Sequence, residues 1–173
     1  MGHIEKLGSW GELYVMLGTS SAALIGLLFV AASLHLREIV RDEIYKIRAQ
    51  DSMLLLVATL VQATVILMPQ PLWVIGLELL VINLWSLSIP IGLFFKASRV
   101  RAANRRGGFS HYRAAFFIVS YLVGIAGSIV LTVGVEAGLY AVTTGYIAIV
   151  IAIIWNAWHI MLGIGQNERK RAR

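Results

Sequence analysis

The sequence predicts an all-α integral membrane bundle: five transmembrane helices, N-terminus outside, C-terminus cytoplasmic. Three observations predict it. The 173 residues are 58% hydrophobic and 14% charged, where a soluble domain carries about 25% charge, and mean hydropathy is +0.78. Five apolar runs meet the roughly 17–25 residues that a bilayer core of about 30 Å demands. Of 15 Lys and Arg, 14 fall in three of the segments that separate or follow those runs. The chain reads as a single transmembrane domain over residues 1–173.

The first span is Leu13–Leu36, uncharged between Glu12 and Arg37. No basic stretch precedes it and its apolar run is too long for a signal peptide, so it is read as a retained helix. The second is Ser52–Met68, near the short limit, and the turn Pro69-Gln70-Pro71 leads into the third, Leu72–Phe95, where Pro90 predicts a kink. The fourth is Ala114–Gly134. A short turn, Val135–Gly138, leads into the fifth, Leu139–Gly165.

Basic residues concentrate in segments 37–51, 96–113 and 166–173, and only Lys6 lies on the opposite side. The positive-inside rule makes those three segments cytoplasmic. Segment 37–51 predicts a helix that continues the first span or lies on the membrane surface. Segment 96–113 predicts a looser loop broken at Asn104 and Gly107-Gly108. The positive charge is read as topology and as attraction to anionic lipid heads; no nucleic-acid partner is expected. Trp10, Tyr14, Trp73 and Tyr140 fall at the outer level, and Phe94, Phe95, Tyr112, Phe116 and Trp158 at the inner level, as an aromatic belt would.

Helices in lipid associate through close packing, so small residues mark contacts. Gly18, Ala22 and Gly26 form one stripe on the first helix. Gly145, Ala148 and Ala152 form another on the fifth, continuing into Asn156 and His159. These stripes predict packing within one bundle or against a second copy.

Polar groups within the spans are the candidates for function. Glu78 lies about 9 Å into the third span by helix rise and is the lone acid well inside a span, with Thr64 on the second helix at similar depth. Thr59 and Gln62 share a face of the second helix and are placed to bond Asn83 across the hairpin. Asn156 and His159 lie at i,i+3 near the inner end of the fifth helix, level with His35. No third ligand is fixed beside the two histidines, so no metal site is predicted, and with no cysteine in the chain thiolate sites are excluded. No cofactor motif and no catalytic constellation is present; enzyme activity is not expected.

The stretch Leu17–Leu34, LGTSSAALIGLLFVAASL, and the element Trp155-Asn156-Ala157-Trp158 resemble the terminal helices of a family of small, uncharacterised multi-pass bacterial membrane proteins. The resemblance covers about a third of the chain. It implies a bacterial cytoplasmic (inner) membrane and no particular activity.

Two functional readings follow. In one, the protein is a small homo-oligomeric pore or small-solute conductor, with Glu78, Asn156 and His159 on the ion or proton path. In the other, it is a non-conducting structural or regulatory component that binds a partner through helix packing or its basic cytoplasmic face.

Overall fold

The computed structural model describes residues 9–41, 43–104 and 111–171. Among them are six helices and no strand: α1 Ser9–Leu34, α2 Leu36–Arg41, α3 Glu43–Leu67, α4 Leu72–Asn104, α5 His111–Thr132 and α6 Gly138–Arg171. Five of these are long and apolar enough to cross a membrane, the span segments being Trp10–Leu34, Ala49–Leu67, Leu72–Gly92, Ala115–Thr132 and Gly138–Trp158.

The breaks between helices have local chemical causes. Pro69 lacks the N–H that a further turn of α3 would need. The Pro71 carbonyl accepts from Val74 N–H at 3.0 Å and Ile75 N–H at 3.2 Å, opening α4. After α5 the chain reverses at Gly134, whose φ of 86° is a left-handed value that a Cβ disfavours. Gly134 N–H donates to Leu131 O at 2.8 Å and Val135 N–H to Val130 O at 3.3 Å, the bond pair of a Schellman cap. The break at His35 is milder. His35 N–H still donates to Ala31 O at 3.3 Å and Ile39 N–H to His35 O at 3.0 Å. Ile39 then folds down onto Ala32 and Ala49.

The two turns, 68–71 and 133–137, define a turn end of the bundle. The opposite end, where α1 gives way to α2 and α3 begins, carries exposed Arg37, Arg41 and Lys46 and is called the basic end. α3 is the axis of the bundle, packed against α1, α2, α4 and α6, while α5 packs on α4 and α6. Accordingly 56% of the α3 span is buried but only 6% of the α1 span.

The helices overrun the expected segments. Glu43–Asp51, expected as part of a helix that continues the first span or lies on the surface, is the continuous start of α3. Lys96–Asn104, read as loop, is helical in α4, and the tail is helical to Arg171. Basic residues are good helix formers, so the loss of hydropathy marks where a span ends, not where a helix ends. Gly107-Gly108 lies outside the described residues.

The two small-residue stripes have different fates. Gly18 is buried, and a methyl group there would sit 3.3 Å from the Ala63 Cβ on α3. Ala22 and Gly26 are exposed, and a methyl at Gly26 would meet nothing within 4 Å. Of the two contacts the stripe predicts, the one within the bundle is made by Gly18 alone. The cause is geometric: each i,i+4 step gains about 40° on the helix, so Gly26 is turned about 80° from Gly18. The buried line of α1 runs instead through Tyr14, Gly18 and Ser21. On α6 the three-residue step from Gly145 to Ala148 offsets the drift of the two four-residue steps that follow. Gly145, Ala152 and Asn156 are buried and Ala148 half-buried. A methyl at Gly145 would lie 2.8 Å from Ser120 O and 3.1 Å from Gly124 N, so α5 and α6 meet backbone to backbone.

Candidate functional site

Polar side chains enter the apolar interior at three levels. Nearest the turn end, the Tyr14 and Thr143 hydroxyls meet at 2.6 Å, beneath the Trp10 ring, which sits edge-on to Tyr140 at 4.7 Å. Below lies a relay. Thr59 Oγ1 reaches Ser21 Oγ at 3.4 Å, Ser21 Oγ reaches Tyr146 OH at 2.7 Å, and Tyr146 OH donates to Leu17 O at 3.2 Å. The relay ties α3, α1 and α6.

The second level ties α3, α4 and α5. Gln62 Nε2 donates to Asn83 Oδ1 at 3.1 Å, and Asn83 Nδ2 donates to Ser128 Oγ at 3.2 Å. Ser128 in turn donates to Gly124 O at 2.8 Å. Gly124 makes the room: a methyl there would lie 3.2 Å from Asn83 Oδ1. Of the two α3 residues placed to bond Asn83, Gln62 does so. Thr59, about 60° round the helix from it, bonds instead to Ser21 and to Leu56 O.

Glu78 takes no part in either network. It is half-buried and accepts from Gln70 Nε2 at 2.6 Å. Thr64, at similar depth on α3, is exposed and donates to Leu60 O at 2.9 Å. Glu78 thus staples the 68–71 turn to α4. Gln70 escaped notice in the sequence because it sits between two prolines in an uncharged turn.

The third level, near the basic end, draws on four helices. Asn156 Nδ2 of α6 donates to Ser52 Oγ of α3 at 2.7 Å. Beside Ser52 on the chain is Asp51, only 7% exposed and within the α3 span. The Tyr121 hydroxyl of α5 lies beside Ser86 of α4 and within electrostatic reach of Asp51. Ser86 and Tyr121 are fully buried; their hydroxyls lie within hydrogen-bonding reach of each other yet in no well-formed bond. A buried hydroxyl left so forfeits about 1–3 kcal/mol, and natural interiors hold few of them. Pro90 adds to the polarity here: lacking an N–H, it cannot donate to the Ser86 carbonyl one turn earlier.

Asn156 is thereby placed in the site, whereas the His159 side chain lies outside the described residues. His35 is half-buried at the α1–α2 break. Among the described residues no three His, Asp or Glu converge on a point where a metal would sit. Asp51, Ser86 and Tyr121 were not singled out in the sequence. Asp51 reads there as the last residue of a basic segment, and a lone Ser or Tyr in an apolar run carries no signal. The one usable cue is the four-residue spacing of Ser86 and Pro90.

No family model, no curated protein and no solved structure matches the chain.

What the site can do follows from its groups. A carboxylate in a water-poor interior is costly unless a proton, a cation or a polar shell compensates it. Here the carboxylate, two hydroxyls in no well-formed bond and an amide–hydroxyl pair come from four different helices. Oxygen donors of this kind suit a proton or a small hard cation, not a redox or thiophilic metal.

Proposed function

We propose that the chain is a multi-pass protein of a bacterial cytoplasmic membrane that passes protons or small cations by way of the Asp51–Ser86–Tyr121 cluster. Its N-terminus lies outside and its basic end faces the cytoplasm, on the strength of the 14-to-1 division of Lys and Arg. The observation that carries the functional reading is the pair of fully buried hydroxyls in no well-formed bond, within electrostatic reach of a buried carboxylate. Packing alone favours apolar groups at such positions. Asn156 belongs to the same site, and Glu78, bonded within its own turn, does not. Copies associate through the exposed Ala22 and Gly26 face of α1.

The test is flux into liposomes containing the purified full chain, with proton and monovalent-cation reporters read separately. Flux above that of empty liposomes, lost in Asp51→Asn, supports the reading. Reporter fusions after Arg173 and before Trp10 test the orientation; a C-terminal reporter active outside the cell would overturn it.

A second reading has its own support. The upper two polar levels form closed sets of bonds, Ser21 with Tyr146 and Gln62 with Asn83 and Ser128, as helix glue requires. A structural or regulatory component that binds a partner through its helices or basic face needs no more. Wild-type flux equal to that of empty liposomes selects this reading.

A further inference from the structure

Among the described residues, α1 is bonded to α6 in the turn-end half: Tyr14 to Thr143, and Tyr146 to Ser21 and Leu17. Toward the basic end the two helices part. Between them opens a lateral groove of about 180 Å³. Its walls are Leu24, Leu28 and Ala31 on α1 and Ile153 and Ala157 on α6, with Leu56 of α3 among the lining residues.

We infer that this groove is a binding site for one acyl chain of an anionic phospholipid, whose headgroup is held by Arg37 and Arg41. The inference rests on the membrane setting proposed above but not on conduction. Three features carry it. The lining is aliphatic apart from Trp158, and an apolar space of this size, comparable to the ~150 Å³ cavities that stay dry and take up hydrocarbon, matches a length of acyl chain. A helix about 10 Å across would not enter it. The groove runs toward the end where α1 breaks and exposed Arg37 and Arg41 follow on α2. Cations at one end of an apolar groove complement an anionic headgroup above an acyl tail. Trp158, 63% exposed at the same end, supplies the amphipathic ring suited to the headgroup level.

The experiment is native mass spectrometry of the full chain in detergent, incubated with phosphatidylglycerol or phosphatidylcholine at equal concentration. Phosphatidylglycerol is expected to be retained in preference, by about fivefold for each arginine that engages it. Ala31→Trp, which fills the groove, should abolish retention while Leu84→Trp, at an exposed site on α4, leaves it unchanged. Arg37→Gln with Arg41→Gln should equalise the two lipids without abolishing binding. Leu28→Phe repeats the block in case Ala31→Trp lowers the melting temperature. Equal retention of both lipids by the wild type overturns the inference, as does undiminished retention in both groove variants. So does a dimer that those variants dissociate, since a second copy would then be the occupant. Loss of retention with flux intact, or the converse, separates this site from the Asp51 site.

Discussion

Tyr146 and Tyr121 stand on neighbouring helices, both buried, and they are used in opposite ways. The Tyr146 hydroxyl closes a relay from Thr59 through Ser21 to the Leu17 carbonyl. The Tyr121 hydroxyl, deeper toward the basic end, lies by Ser86 within electrostatic reach of Asp51 and in no well-formed hydrogen bond. The half of the interior around Tyr146 spends its polar groups on holding helices together. The half around Tyr121 has one such tie, Asn156 to Ser52, and beside it two hydroxyls in no well-formed bond. Polarity inside a membrane bundle is thus informative only when sorted by whether its bonds are closed.

The comparison can be broken most severely through the backbone. Gly145→Leu drives a side chain into Ser120 O and Gly124 N, and should destabilise the bundle by about 2–3 kcal/mol, read as lost melting temperature or aggregation in detergent. Tyr146→Phe removes two bonds and should cost about 1 kcal/mol, since interhelical bonds in membranes average about 0.6 kcal/mol each. Tyr121→Phe should leave stability within about 0.5 kcal/mol, because no well-formed bond is lost, yet lower flux severalfold. Equal destabilisation by the two Tyr→Phe changes would erase the distinction between the halves. Gly26→Leu should leave the melting of the single bundle unchanged, for nothing lies within 4 Å of the added carbon. A fall in oligomer mass with unchanged melting would assign that face to a second copy.

The helices were legible from sequence because hydropathy and length decide them: the five apolar runs correspond to α1, α3, α4, α5 and α6. Their ends were not, because Lys, Arg and Ala continue a helix beyond the apolar run, as at Lys96–Asn104. The Gln62–Asn83 bond was legible because amides on the two arms of a tight hairpin have few other partners. Asp51 was not. Its neighbours Arg48 and Gln50 make it look like surface, and only the packing of α5 against α4 brings Tyr121 and Ser86 to it. Glu78 drew notice by depth alone, while its bond to Gln70 depends on the shape of the turn.

The proposed site is at Asp51, not at Glu78. The most direct measurement is cation and proton flux in liposomes for the wild type, Asp51→Asn and Glu78→Gln, each matched for melting temperature and oligomer mass. The account predicts flux in the wild type, near-wild-type flux in Glu78→Gln, and background flux in Asp51→Asn. Full flux in Asp51→Asn, or its loss in Glu78→Gln alone, would contradict it.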